Sequence, residues 1–148
     1  MTNDVPLARV RCWSCGRAAM TISLGTQSLS GRVAITEPVT VSCSPFDPSL
    51  VAIGQSVTVN AEQASGRSIA RGSGTNANSF ACDGSQTTVP VSVLADPAGP
   101  PFHGGPAVIS ASDQASAGTP CAFAPPGCFT SPFENQNASA GPATLKLH

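Results

Sequence analysis

From Thr21 onward the chain repeats with a period of two, and that period fits strands and not helices. Ile22 and Leu24 alternate with Thr21 and Ser23, and Val33 and Ile35 follow a Ser-Gly corner. Val39, Val41 and Cys43 share one face, as do Val57, Val59 and Ala61, and then Val89, Val91 and Val93. Ala107, Ile109 and Ala111 form a similar set with Val108 on the opposite face, and Leu145 and Leu147 close the series. Ser and Thr fill most of the positions between, as a solvated sheet face allows. No stretch of a dozen residues combines the 3.6-residue repeat with helix caps. Seven or so short strands at regular spacing predict an all-β chain, an immunoglobulin-like antiparallel β-sandwich over residues 20–148.

Turn residues divide the strands. Phe46-Asp47-Pro48, Ala64-Ser65-Gly66-Arg67 and Cys82-Asp83-Gly84-Ser85 read as turns. Asp83-Gly84 carries the strongest hairpin signal, because both residues tolerate positive φ. Pro90 has no N–H to give a ladder, which predicts an edge strand or a bulge there. Residues 116–142 are rich in proline and lack alternation, and they read as a long loop stapled by cysteines.

Composition limits what such a sandwich can do. Charged residues make up 10% of the 148, and the net charge is −1. A strongly basic nucleic-acid binder is excluded on that count, and no apolar run is long enough for a membrane span. The core must be built from Val and Ala, since the chain has one Trp, six Phe and no Tyr. Residues 1–19 differ from the rest. They hold Arg9, Arg11 and Arg17, the single Trp13 and the pair Cys12 and Cys15. They read as an N-terminal arm attached to the sandwich domain.

Six cysteines in a weakly charged chain predict disulfides and an oxidising compartment, with 15 full pairings open. Cys43 ends an inward-facing strand and Cys82 precedes the Asp-Gly turn. A pair so placed resembles the inter-sheet bridge of immunoglobulin-like domains. Cys121 and Cys128 are spaced to close a small loop around Pro125-Pro126-Gly127, or to pair with the arm. Cys12 and Cys15 could supply half of a zinc site, with Cys121 and Cys128 or His103 as the other half. A disulfide is the favoured reading of that pair, and no metal or cofactor is called.

Nothing in the chain resembles a catalytic constellation. His103 lies in an irregular loop, no Gly-x-Ser-x-Gly elbow occurs, and the carboxylates are scattered singly. Asn137-Ala138-Ser139 matches the N-glycosylation triplet.

Cys43, Gly54 to Val59, Arg71 to Gly74, Cys82-Asp83-Gly84, Val89 to Val93 and Gly105 to Ala111 together resemble a small exported immunoglobulin-like domain common in actinobacteria, most of whose members have no assigned function. The chromophore-binding neocarzinostatin apoproteins are similar in architecture and composition only. The resemblance implies export. No secretory apolar run lies between Met1 and Met20, so export would use another route, such as phage assembly and lysis, or follow removal of a leader; the remaining alternative is a cytoplasmic protein with reduced thiols. The expectation is a non-enzymatic structural or assembly protein, extracellular or on a virion surface. It would act through sheet faces and loops on copies of itself (a homo-oligomer, filament or lattice) or on another surface protein, with the arm as linking element. The rival is a small-ligand carrier with an apolar cleft lined by Phe102, Phe123 and Phe129.

Overall fold

A computed structural model describes residues 20–148. The proposed arm, with Cys12 and Cys15, lies outside the described residues. Eight strands and no helix follow: β1 Met20–Leu24, β2 Ser28–Ser30, β3 Ala34–Cys43, β4 Val51–Ser65, β5 Ser68–Ala77, β6 Gln86–Ala95, β7 Gly105–Pro120 and β8 Phe129–Leu147. All pairings are antiparallel, in the order β1-β3-β6-β5-β4-β7-β8, with β2 also on β3. Although the hydrogen-bonded path is continuous, it bends between β6 and β5, which pair only at Gly72–Ala95 and Ser73–Leu94. The first and last strands meet again across the molecule, and the amide of Leu29 in β2 donates to the carbonyl of His148, just past β8, at 2.8 Å. The result is an antiparallel sandwich nearly closed into a barrel.

The inward positions of the alternation form its core. Ile35, Val39, Val57, Val59, Val89, Val91, Val93, Phe102 and Ile109 are completely buried. Each such side chain contributes roughly 1.5–3 kcal/mol by leaving water. Val33 departs from the pattern and is 62% exposed, because it follows the Gly31-Arg32 corner and precedes β3.

The bend is made by Arg71-Gly72-Ser73-Gly74. Strand β6 crosses the inner face of β5 so closely that a Cβ on Gly74 would stand 2.0 Å from the Ser92 carbonyl oxygen. One on Gly72 would stand 2.4 Å from that of Leu94. Only glycine leaves room for this crossing.

One expectation holds locally and two need correction. Strand β6 is interior to the sheet order and Pro90 makes no bulge in its ladder with β3, but β6 meets β5 only at Leu94 and Ala95, so at Pro90 its other side is an edge, as expected. Pro90 faces Pro38 in the β3 ladder. The Pro38 carbonyl takes the Gly25 amide at 2.9 Å and the Pro90 carbonyl takes Asn76 Nδ2 at 2.9 Å. Both carbonyls therefore point away from the partner strand. In an antiparallel pair the nitrogens follow them, so neither missing N–H breaks the ladder.

Residues 116–142 are not a loop. Most of them continue β7 and β8, a hairpin of 16 and 19 residues, and the only break is at 121–128. Its strands are Ser, Ala, Asn and Gln rich, so pairing with β4 and with each other sets their conformation where hydrophobic alternation does not.

Asp83-Gly84 is a turn, with Gly84 at φ +84° and Asp83 Oδ1 accepting the Ser85 amide at 2.9 Å, but it sits within the connection 78–85. The two-residue hairpin turn is Gly66-Arg67, between paired Ser65 and Ser68.

Candidate interaction surface

Two disulfides are formed, Cys43–Cys82 and Cys121–Cys128. The first is not a strand-to-strand bridge. Cys43 ends β3, whereas Cys82 lies in the connection from β5 to β6, so the bond pins that connection beside the end of β3. The Gly84 amide donates to the Cys43 carbonyl at 2.9 Å alongside it. Because Cys121 and Cys128 bond each other, neither can supply a thiolate. His103 lies at the opposite end of the β7–β8 hairpin, its ring nitrogens against the carbonyls of Gly104 and Ala64 at 2.9 and 3.0 Å. The second half of the zinc alternative is therefore missing from the described residues, which contain no group of three metal-ligating side chains.

The three phenylalanines assigned to a ligand cleft do not converge. Phe102 is completely buried in the core, Phe129 is half-buried at the start of β8, and Phe123 is fully exposed. Phe102 precedes β7 and Phe123 follows it, so the hairpin separates them by about 50 Å along β7 at the usual rise per residue. Gln63 explains the burial of Phe102. Its Nε2 donates to the His103 carbonyl at 2.7 Å and its Oε1 accepts the His103 amide at 2.8 Å, which clamps the loop over the core.

What the hairpin presents is an apex. Cys121–Cys128 closes a loop of Ala122, Phe123, Ala124, Pro125, Pro126 and Gly127, all exposed. The Cys121 amide donates to the Cys128 carbonyl at 3.2 Å, and the Cys128 amide to that of Pro125 at 3.3 Å. No charged residue occurs from Gly118 to Phe133. Below the apex, Ile53 and Phe133 lean over Gly118, where a Cβ would fall 2.8 Å from Phe133 Cδ1 and 3.1 Å from Ile53 Cδ1. Val51, Ile53 and Phe133 are each 42–53% exposed and make an apolar shelf. The sequence groups Phe133 with Phe102, Phe123 and Phe129 as either an exposed patch or, in the favoured reading, a satellite core under the loops; the four are instead split, with Phe102 buried and Phe123 and Phe133 exposed. The paired apolar residues Val51 and Ile53 beside Gly54 were the available signal.

A second concave surface of about 600 Å³ lies on the outer face of β4, β5 and β6, lined by Asn60, Glu62, Arg71, Ser73, Leu94 and Asp96. Arg71 Nε meets Glu62 Oε1 at 3.1 Å, with both side chains more than half exposed, so the pair contributes little to stability. The lining is about equally polar and apolar and lacks aromatic side chains, unlike the predicted cleft.

Sequence reasoning also missed two carboxylates in the core. Glu37 Oε1 accepts the Gly25 amide at 2.9 Å, while Oε2 is buried without a partner. Burial raises its pKa, against the hydrogen bonds from Gln27 and Gly25 that lower it. Both oxygens of Asp113 are buried without a hydrogen-bond partner. Burial pushes its pKa up to about 6, opposed only in part by the nearby backbone amides of Ala138 and of Asp113 itself, neither of which completes a hydrogen bond to it.

A carboxyl whose folded pKa is raised adds stability below its unfolded pKa and loses it as pH rises through the folded one. The protein should therefore gain stability as pH falls from about 7 to about 4. Asp113→Asn should add up to about 3 kcal/mol at pH 8 and little at pH 4. Urea midpoints of both proteins across this range test it. Parallel curves would refute the assignment.

The fold and its surfaces define a disulfide-bonded all-β module with an apolar, uncharged apex. No family model, curated protein or solved structure matches the chain. Among the described residues no helix is long and apolar enough to cross a membrane.

Proposed function

We propose that this protein is a non-enzymatic assembly or contact module, working outside the cell or on a virion surface, whose docking element is the stapled β7–β8 apex. The observation that carries the reading is Phe123, fully exposed on a loop closed by Cys121–Cys128. An aromatic held in a constrained loop loses little conformational freedom on docking, which is how rigid anchors gain affinity. Low net charge leaves contact chemistry to apolar surface. Two disulfides are compatible with an oxidising location, and the resemblance to exported immunoglobulin-like domains supports the same placement.

The partner is a second copy or another surface protein. For self-assembly, size-exclusion chromatography at rising concentration should show association of the full chain, reduced at least tenfold in affinity by Phe123→Ser. A change of that size corresponds to about 1.4 kcal/mol, ordinary for one anchor. A strict monomer that co-purifies with an absorbing small molecule would return the carrier reading to first place.

A further inference from the structure

The large hydrophobic side chains that stand exposed among the described residues fall into two groups of four. Val51, Ile53, Phe123 and Phe133 belong to the apex end. Val33, Ile69, Leu94 and Val108 surround the concave surface on β4, β5 and β6. Leu94 lines it, and Val108 pairs with Glu62 of its lining. Ile69 is two residues before Arg71 on the same face of β5. The Val33 carbonyl takes the amide of Ala95, another lining residue, at 2.8 Å.

Charge is sorted between the same two places. Asp83 follows Cys82, and the Asp47 amide donates to Glu134 Oε2 at 3.1 Å. These three acids stand at the apex end with no cation beside them among the described residues. The four cations of the described residues adjoin the concavity instead. Arg71 lines it, Arg67 is in the turn before Ile69, and Arg32 precedes Val33. Lys146 is two residues past Thr144, which pairs with Val108. Set against Glu62 and Asp96, these cations leave that region at +2, while the apex end is at −3.

We propose that the apex of one copy seats in the concavity of a second, Phe123 against Leu94, so that copies join head to tail. The inference rests on the apex being the docking element and names the surface that receives it. The concavity, of about 600 Å³, has room for one aromatic anchor, and Arg71 offers a guanidinium to the face of its ring. The loop cannot reach the concavity of its own chain. Ser110, the β7 partner of Asn60 in the lining, is ten residues from Pro120, or about 33 Å along the strand. Apex-to-apex pairing would set three acids against three more, which like-charge contact disfavours, whereas apex-to-concavity pairing joins unlike net charges. Two different surfaces in contact form a heterologous interface. Each added copy then leaves one apex and one concavity open, so the assembly propagates unless it closes into a ring.

Mixing two variants of the full chain tests this. Phe123→Ser keeps the concavity, and Leu94→Asp keeps the apex. By sedimentation velocity each alone should associate at least tenfold more weakly than the wild type. An equimolar mixture should form one-to-one dimers with the affinity of the wild-type contact and grow no further, because the remaining apex and concavity are both disabled. Arg71→Glu, at an exposed side chain outside the core, is a second concavity variant and should behave as Leu94→Asp does. Urea midpoints equal to the wild type's verify that each variant is folded. Three outcomes overturn the proposal: a wild type that stays monomeric, folded concavity variants that associate like the wild type, or a mixture that stays monomeric. The first leaves the apex to another surface protein, and the second leaves it to another face of this one. Phe123→Ser associating like the wild type would remove the apex reading as well, so failure of the one is distinguishable from failure of the other.

Discussion

Gly74→Ala is expected to cost at least about 3 kcal/mol, the upper part of the range for overpacking a dense interior. The added methyl would sit 2.0 Å from the Ser92 carbonyl oxygen and 2.7 Å from its carbon. The obstacle is backbone in β6, which is held to β3 from Ala34–Leu94 to Ser42–Gln86 and cannot move aside like a flexible side chain. Relief would require opening the bend between β5 and β6, where only two residue pairs hold the strands together. Gly54→Ala provides the control. It is also within β4, but its Cβ would meet only Asn78 Oδ1 at 4.0 Å, so its urea midpoint should stay near that of the wild type. Equal midpoints for the two variants would mean that the crossing is looser than described.

That crossing shows where sequence reading stops. Alternation located the inward faces of β3, β4, β6 and β7 because Val, Ile and Cys mark them. The same parity extends to Glu37 between Ile35 and Val39, Gln63 after Ala61, and Asp113 after Ala111, all of which are buried. Their polarity argued against burial more strongly than their position argued for it, although position decided. Gly72 and Gly74 fall on inward positions of β5 as well, but a glycine carries no sign of which strand approaches it. Pairing partners are a tertiary fact, and so the bend and the neutralised Pro38–Pro90 pair were out of reach. The β7–β8 hairpin was hidden for a related reason. Its small and amide side chains carry little hydrophobic alternation, and its strand form depends on a neighbour. At the candidate surface the cysteine spacing of the apex was legible. The exposure of Phe123 and the burial of Phe102 were not, since both lie in proline-rich irregular sequence.

Replacing Cys43 and Cys82 together with alanine is expected to lower stability by about 4 kcal/mol, as the chain-entropy model gives for a closed loop of this size. The bond spans 39 positions that include all of β4 and β5, so it restricts a large part of the unfolded chain. In the native state it also holds the connection 78–85, which has no strand partner. Besides the bond, that segment is tied by Asn78 to the Gln55 carbonyl and Gly84 to the Cys43 carbonyl, and it delivers Phe80 to the core. The equivalent Cys121 and Cys128 replacement closes off only 7 positions and should cost no more than about 2.5 kcal/mol. Because that loop is exposed beyond the core, much of its loss should appear as local fraying. Urea midpoints should rank wild type, then the Cys121/Cys128 variant, then the Cys43/Cys82 variant. Reduction of the wild type should bring it below both. A domain with about 5–15 kcal/mol in total would then lose a large share of its stability in a reducing compartment, which connects these two bonds to the extracellular location proposed above. A wild-type midpoint unmoved by reductant would break that connection and remove the physical argument for placing the protein outside the cell.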